Sequence, residues 1–341
     1  MRIYATTAHH QHHCLELDDG RLIQSWESPD RADIVDAELL ARGFTDVRQP
    51  GDLDRLLVET VHVPAYVAFL ETAHERWVAE GRAGSCAMSN GWPARRMRDI
   101  RPEGLQAQLG YYSFAADCSI TADTWVAAAD AARTADAAAQ HVAAGAPSAF
   151  ARCRPPGHHA SGDQFGGYCY LNNAAVAAER LRQSGVDRVA VLDVDYHHGN
   201  GTQDIFYHRD DVSFCSIHAD PKVEFPYFLG HADEEGMDGG VGANLNVPLP
   251  HGTQSGDWFT ALETLLQWIE RRAAEAIVVS LGVDTFVDDP ISQFQLVSED
   301  FIRLGQRLAR VDRPMVFVME GGYATEALGT NMVNVLEGFL S

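Results

Sequence analysis

The second half of the chain alternates short apolar segments with longer segments of helical periodicity. The apolar segments have the length of single strands and are hydrophobic at most positions. Such segments are typical of strands that are buried on both faces of a parallel sheet. The sequence therefore predicts one α/β domain over residues 1–341, with no internal repeat or linker. The strand segments are 188–193, 212–217, 276–280 and 314–319, and the helical segments are 71–80, 124–144, 173–183, 258–272 and 298–310.

The charge of the chain bears on its partners. Acidic residues outnumber basic ones by 48 to 26, which gives a formal net charge of −22 and a pI near 4.9. We expect no nucleic-acid partner, because binding a phosphate backbone needs clustered Lys and Arg side chains. A cationic substrate would be attracted, although an acidic surface is also common in soluble proteins.

The cysteines and the apolar segments indicate the cellular compartment in which the protein is expected. Six cysteines are scattered without a CxxC pair, a pattern typical of reduced thiols in the cytosol. No apolar run approaches the roughly 20 residues of a membrane span, and the N-terminal residues lack the apolar region of a signal peptide. The sequence predicts a cytoplasmic protein without a membrane partner.

Residues 81–108 interrupt the regular pattern. Glycines and prolines break the periodicity there, and arginines cluster between positions 95 and 101. A long irregular segment inside a compact domain usually has a function, for example as a lid or an interface. We therefore interpret 81–108 as a loop insertion.

Polar residues follow three of the predicted strands. Asp193, Asp195 and His197 alternate and would share one face, while Asp284 follows another strand, and Glu320-Gly-Gly-Tyr323 a third. Because ligands bind at the carboxyl ends of parallel strands, Asp195, His197 and Asp284 form a candidate catalytic metal site with an open position. Zn²⁺ is the first choice, and Fe²⁺, Co²⁺ or Mn²⁺ also suit these ligands. The alternative is that the aspartates cap helices or form salt bridges.

Two histidine-rich segments differ in context. His158 and His159 follow Pro155-Pro156-Gly157, which holds them on a constrained loop, so they are candidates for an acid and base pair. The run from His9 to His13 resembles a metal cluster, but we interpret it as a solvated loop, with a role at the mouth of the site as the alternative.

These motifs together resemble the arginase–deacetylase superfamily, and within it the metal-dependent histone deacetylases and bacterial acetylpolyamine amidohydrolases. The resemblance extends from about Leu109 to Asn331. It implies a central parallel sheet of about eight strands with helices on both faces. The matching motifs are Arg154-Pro-Pro-Gly-His158-His159, Asp193-x-Asp195-x-His197-His198-Gly-Asn-Gly-Thr202, Asp284 with Asp289-Pro290, and Glu320-Gly-Gly-Tyr323.

The resemblance also implies roles for individual residues. Asp195, His197 and Asp284 would bind Zn²⁺, and Tyr323 would donate to the oxyanion. His158 and His159 would be the general base and its electrostatic or acid partner, backed by Asp193 and Asn200 respectively. A structural K⁺ or Na⁺ ion would lie at Asp193, Asp195, His197, Ser216 and Ile217, with a second at Phe206, Arg209 and Val212. The substrate would contact Glu16, Gln106, Asp117, Gly167, Tyr168 and Phe225.

The implied activity is hydrolysis of an acetyl amide. Asn200 replaces the Asp of many nuclear deacetylases, and the Leu281-Gly-Val-Asp284 segment and the 81–108 insertion are similar to the acetylpolyamine enzymes. In that group the insertion builds a homodimer and narrows the entrance, so we expect a small cationic acetylated amine as substrate. The alternatives are an acetyl-lysine protein or peptide deacetylase, an arginase-like ureohydrolase and a non-catalytic sensor of acetylated amines.

Overall fold

The computed structural model describes residues 1–82 and 86–341, in which the strands belong to one large sheet and a small hairpin. Most strands are short, and those at the centre of the sheet are fully buried. In chain order the strands are β1 (Arg2–Tyr4), β2 (Leu15–Asp18), β3 (Arg21–Gln24), β4 (Val47–Arg48), β5 (Ser148–Ala151), β6 (Val189–Asp193), β7 (Val212–Ala219), β8 (Asn244–Leu249), β9 (Ala276–Leu281) and β10 (Met315–Met319).

The eight-stranded sheet in the described residues has the order β4-β1-β5-β10-β9-β6-β7-β8. Every pairing in it is parallel, whereas β2 and β3 form a separate antiparallel hairpin. The predicted parallel α/β sheet is thus confirmed. The strand bounds differ from the prediction by one or two residues, and β7 extends to Ala219.

Helices cover both faces of this sheet, as predicted. Two short 3-10 helices, Ala8–Gln11 and Asp238–Gly240, lie in the connections. The α-helices are α1 (Asp30–Ala41), α2 (Arg55–Val61), α3 (Pro64–Ala79), α4 (Leu105–Tyr111), α5 (Thr124–Ala143), α6 (Asn173–Gln183), α7 (Asn200–Phe206), α8 (Ser255–Arg271), α9 (Ser298–Ala309) and α10 (Thr325–Leu340).

Side chains of the central strands alternate between two hydrophobic cores. On β6, Val189 and Val191 contribute to the core that α5 and α6 cover. The intervening Ala190 and Leu192 contribute to the core formed with α1, α8, α9 and α10. This period of two places apolar residues on both faces, which explains the continuous apolar strand segments in the sequence.

The insertion predicted at 81–108 is described except for residues 83–85, which lie outside the described residues. Trp92 Nε1 donates to Ser113 Oγ at 2.8 Å, and Ala87 pairs with Ile120 in an isolated antiparallel bridge. The last residues of this segment are helical, because α4 already begins at Leu105. Leu105 and Leu109 are both buried on one side of that helix, so its packing extends the regular structure into the predicted loop.

Across 1–82 and 86–341, no single helix combines the length and the apolar character needed to cross a membrane. The bent pair α2 and α3 meets that test only when both helices are taken together, with an angle of 114° between them.

Candidate active site

Polar side chains follow four neighbouring central strands at the same edge of the sheet. β5 leads into His158 and His159, β6 ends at Asp193, β9 precedes Asp284, and β10 precedes Glu320. These strands lie side by side in the order β5-β10-β9-β6. The carboxyl ends of parallel strands form the binding edge of an open α/β sheet, so segments that are distant in sequence meet here.

Asp195, His197 and Asp284 form a compact group of buried ligand atoms. One such atom from each residue lies within 4.8 Å of the others. His197 Nδ1 is 3.1 Å from Asp284 Oδ2 and 3.4 Å from Asp195 Oδ1. Two carboxylates are costly to bury together unless a cation balances them. One imidazole with two carboxylates suits a divalent transition-metal ion that keeps an open coordination position.

Two glycines leave the space that these carboxylates occupy. A Cβ atom at Gly282 would lie 2.0 Å from Asp195 Oδ2, and one at Gly321 would lie 2.6 Å from oxygens of Asp195 and Asp284. The Gly321 N–H also donates to Asp195 Oδ2 at 2.9 Å. A larger residue at either position would displace the carboxylates, so the close backbone approach builds a cradle around the candidate ligand atoms.

His158 and His159 lie next to this cradle with different partners. His158 Nδ1 is 3.0 Å from Asp193 Oδ2, and its Nε2 is 3.8 Å from Asp195 Oδ1. His159 Nδ1 donates to Asn200 Oδ1 at 2.7 Å. Because an amide oxygen accepts only, this bond assigns the proton to Nδ1 and leaves the lone pair of His159 on Nε2.

The two histidines differ in charge for a physical reason. Burial alone would lower the pKa of His158, but the carboxylates of Asp193 and Asp195 outweigh burial and raise this pKa to about 10. Burial and the positive charges of His158 and His197 hold the pKa of His159 well below its usual value, and the neutral Asn200 does not compensate. His159 is therefore the neutral member of the pair.

Tyr323 is held at the cleft by its backbone and by its ring. Its N–H donates to Asp289 Oδ2 at 2.7 Å, and the neighbouring Ala324 N–H donates to the same oxygen at 3.2 Å. The Arg31 guanidinium lies 4.7 Å from the centre of the Tyr323 ring, and the Tyr168 ring lies 5.7 Å away. These contacts fix the direction of the phenol.

Buried charged residues to which the sequence analysis assigned no role hold two loops of the candidate site. These are the loop that carries His158 and His159 (the histidine loop) and the loop that carries Tyr323 (the tyrosine loop). Arg154 Nε and Arg31 Nη1 both donate to Glu27 Oε1, at 2.8 and 3.0 Å. Arg31 also donates to the Glu320 carbonyl at 2.6 Å and to the Gly322 carbonyl at 2.7 Å. This network ties the histidine loop, the tyrosine loop and α1 together. The spacing of Glu27 and Arg31 was a signal, but it is equally typical of an exposed helix face.

The carboxylate of Glu320 supports the histidine loop directly. Its Oε2 accepts from the Gly157 N–H at 2.6 Å and from the His158 N–H at 3.2 Å. Burial raises the pKa of Glu320 to about 7, although the positive charge of His158 opposes this. The conspicuous Glu at the head of its motif was the sequence signal for this role.

A cleft of about 520 Å³ leads from the surface to His159, His197 and Tyr323. Its walls carry both carboxylates and aromatic rings, which suits a slender ligand with a positive charge. Besides those three residues the lining comprises Glu16, Leu17, Asp18, Trp26, Asp117, Gly167, Tyr168, Glu224, Phe225, Tyr227, Pro290 and Ile291.

The structure brings five of the six predicted substrate residues to this cleft. Burial raises the pKa of Glu16 to about 7, although a hydrogen bond with Tyr168 opposes this. Both carboxylate oxygens of Asp117 accept from the Gly167 N–H, at 2.9 and 3.0 Å. The ring of Phe225 lies edge-on to His159, with centroids 5.1 Å apart. Rings and acidic groups thus line the same passage.

The sixth predicted residue, Gln106, is not brought to the cleft in this chain. Its Oε1 accepts from Arg82 Nη1 at 2.7 Å, and its Nε2 donates to the Met88 carbonyl at 3.1 Å. The side chain is therefore occupied inside the insertion, a long-range pairing that neighbouring sequence does not indicate.

The residues predicted to hold monovalent cations lie in two places. Asp193 is directly opposite Ser216 in the register of β6 and β7, and Ile217 and the two candidate metal ligands Asp195 and His197 adjoin them in sequence. The second group, Phe206, Arg209 and Val212, spans the end of α7 and the start of β7. Both cation sites remain predictions.

The prediction of a solvated loop at His9–His13 is wrong for two of its histidines. His9 is 1% exposed and His12 is fully buried. The Arg154 guanidinium donates to the carbonyl oxygens of both residues, which pulls the 3-10 helix Ala8–Gln11 inward. His10 and His13 remain exposed.

The chain matches the model of the histone deacetylase domain family over residues 25–339. It is 52% identical over 326 residues to acetylpolyamine amidohydrolase 1 of Pseudomonas aeruginosa, a match that covers 95% of this chain and 94% of that relative. It is 48% identical over 323 residues to an acetylpolyamine amidohydrolase of Mycoplana ramosa, covering 95% and 94%. The crystal structure of acetylpolyamine aminohydrolase from Burkholderia pseudomallei has a TM-score of 0.95 at 41% identity, covering 99% of this chain and 98% of that one.

Proposed function

The chain belongs to the histone deacetylase family, and from this premise we propose that it removes the acetyl group from small N-acetylated polyamines, releasing the amine and acetate. The observation that carries the substrate assignment is the cleft, in which Glu16, Asp18 and Asp117 line the approach to the cradle. The names of the relatives, which share 43–52% of their residues with this chain, support the same substrate class.

We further propose that Asp195, His197 and Asp284 hold one divalent ion, with Zn²⁺ as the first choice and Fe²⁺, Co²⁺ or Mn²⁺ as alternatives. The buried one-imidazole, two-carboxylate set and the space left by the glycines support this assignment. When bound, such an ion polarises the acetyl carbonyl and lowers the pKa of a coordinated water. A structural K⁺ or Na⁺ ion is proposed to lie at Asp193, Asp195, His197, Ser216 and Ile217, with a second at Phe206, Arg209 and Val212.

The protein's own residues then move protons and stabilise charge. His159, and not the His158 that the resemblance implies, faces the cleft with a free lone pair on Nε2. We therefore assign the general base to His159, which accepts the proton of the attacking water and returns it to the leaving nitrogen. His158 faces Asp195 instead, and its contact with Asp193 keeps a positive charge beside the reacting groups. The Tyr323 phenol donates to the oxyanion of the tetrahedral species.

The direct test of the function is acetate release by the Zn²⁺-loaded protein. N-acetylputrescine, N-acetylspermidine and an acetyl-lysine peptide are compared at equal concentration, with arginine as the ureohydrolase control. We expect higher kcat/KM for the free acetylpolyamines. Preference for the peptide would favour a protein deacetylase, urea release from arginine would favour a ureohydrolase, and binding without turnover would favour a sensor.

Glu16 is expected to recognise the distal ammonium group of the substrate. Replacing Glu16 with Gln keeps a polar partner for Tyr168 and removes the charge, so KM for N-acetylputrescine should rise about 10-fold. The control is N-pentylacetamide, which has a methyl group in place of the ammonium and whose KM should change little. An equal rise for both substrates would refute the ammonium contact.

The same carboxylate predicts a pH dependence of substrate choice. Because burial raises the pKa of Glu16 to about 7, its carboxyl group is neutral at lower pH and charged at higher pH. The ratio of kcat/KM for N-acetylputrescine to that for N-pentylacetamide should therefore increase between pH 6 and pH 8. In the Glu16→Gln variant the ratio should stay flat, and a parallel increase there would contradict the assignment.

We propose that the 81–108 insertion joins two copies of the chain into a homodimer. Within its described residues, Met97 is 65% exposed and Ile100 is 54% exposed, which supports an interface there.

The net charge of −22 supports the absence of a nucleic-acid partner, and the free cysteines support a cytoplasmic location.

A further inference from the structure

The reaction makes no use of the histidine-rich run that begins at His9. The 3-10 helix Ala8–Gln11 directs the His9 ring inward and leaves the His10 ring half-exposed, with ring centroids 4.1 Å apart. Asp33, in the first turn of α1, faces both rings. Three metal-binding side chains thus converge outside the cleft.

The geometry of these three side chains fits a metal ion. His9 Nε2 and His10 Nε2 lie 3.2 Å and 2.8 Å from the same oxygen, Asp33 Oδ1. The three ligand atoms all lie within 4.8 Å of one another. A tetrahedral ion with bonds of about 2.0–2.1 Å would place its ligands about 3.3 Å apart. Small rotations of two exposed side chains bring these atoms to that spacing.

The hydrogen bonds of His9 direct its lone pair toward Asp33. Its Nδ1 lies 2.9 Å from the Thr6 carbonyl oxygen and 3.2 Å from Arg152 Nη1. The carbonyl is the closer neighbour and can only accept, which favours a proton on Nδ1. In that tautomer the lone pair of Nε2 is available to a metal ion beside Asp33. A ligating histidine also typically donates its other N–H to a backbone carbonyl.

The surroundings permit a divalent charge. The Arg152 guanidinium lies 3.2 Å from His9 Nδ1, and Asp36 pairs with it through two hydrogen bonds of 2.9 Å each. The side chains of His10 and Asp33 are 51% and 49% exposed, so water can complete the coordination. The whole chain is strongly acidic, which raises the local concentration of cations.

We propose that His9, His10 and Asp33 form a second, surface-accessible metal site for a borderline transition-metal ion such as Zn²⁺ or Co²⁺. Two imidazoles and one carboxylate favour these ions over Ca²⁺ and Mg²⁺, which prefer oxygen ligands. The ion would link the 3-10 helix to α1. Both elements adjoin the network behind the active site, since the His9 carbonyl accepts from Arg154 and α1 carries Arg31.

The test starts from protein that holds one equivalent of Zn²⁺. This protein is titrated with Co²⁺ while visible absorption and bound metal are measured. We expect the wild-type chain to bind a second equivalent. His10→Asn and Asp33→Asn should each weaken that binding by at least about 10-fold, while acetate release stays unchanged. His13→Asn is the matched control, because this exposed histidine of the same segment lies outside the cluster.

Three results would overturn the proposal. The wild-type chain could bind only one equivalent of metal in total, His10→Asn could bind the second equivalent as tightly as the wild-type chain, or His13→Asn could weaken that binding as much as His10→Asn does. A second readout is the melting temperature, which Co²⁺ should raise in the wild-type chain and not in His10→Asn. Because the site is read by metal binding and melting, failure of the proposed deacetylase activity would leave this test intact.

Discussion

Tyr323→Phe is expected to lower kcat by about 10²–10³-fold, with metal content and KM nearly unchanged. Tyr323 lines the cleft as a single phenol donor, and removal of one such oxyanion donor costs about 3–4 kcal/mol. The ring should keep its place, because Asp289 holds the backbone of Tyr323 and Arg31 packs on its face. Steady-state kinetics with N-acetylputrescine, together with metal analysis, measure the effect.

The matched control for this variant is Tyr227→Phe. Tyr227 also lines the cleft, but it is 50% exposed and lies at the mouth. Its hydroxyl is not required for oxyanion stabilisation, so kcat should fall less than 3-fold. Equal losses in both variants would mean that the hydroxyl groups act through the general polarity of the cleft and would remove Tyr323 from its specific role.

His159→Ala is expected to lower kcat by about 10²–10⁴-fold, the usual contribution of a positioned acid or base. His159 is the histidine of the pair that lines the cleft, and its Nε2 carries the free lone pair. Metal binding should be retained, because the hydrogen bonds that the structure describes for the candidate ligands Asp195, His197 and Asp284 do not involve His159. Retention of more than one tenth of the wild-type kcat would exclude His159 as the proton carrier.

Asn200→Asp tests whether His159 transfers a proton or only forms part of the wall of the cleft. A carboxylate at this position would raise the pKa of His159, because it stabilises the imidazolium. Since the base must be neutral, the acidic limb of the profile of kcat against pH should move to higher pH. A profile that does not move would show that His159 does not titrate in that limb.

The fold and the central site residues were predictable because their signals are local. Strands buried on both faces are continuous apolar segments, and the alternation of Asp193, Asp195 and His197 places three polar groups on one face. The arrangement behind these residues was not predictable. Arg154 and Glu27 are separated by 127 positions, and nothing near either residue indicates that two arginines share one buried carboxylate.

The burial of His9 and His12 also depends on a residue that is distant in the sequence. His9 and His12 are polar residues in a short connection, which favours exposure. Their burial depends on Arg154, whose guanidinium needs carbonyl acceptors once it is enclosed. The predicted substrate contact of Gln106 was missed for a similar reason, because its hydrogen-bond partner Arg82 lies 24 positions away in the sequence. Side chains whose environment is set by a distant charge cannot be assigned from neighbouring sequence.

The sheet order has a consequence for synthesis of the chain. β10, the last strand in chain order, lies between β5 and β9 and joins the β4-β1-β5 half to the β9-β6-β7-β8 half. While a ribosome is still translating the residues before Met315, each half presents an apolar, unpaired edge at the place where the other half must dock. Such edges pair with other chains. Emergence of β10 from the ribosome, more than emergence of the first strands, therefore sets the moment at which the two halves can pair and cover these edges.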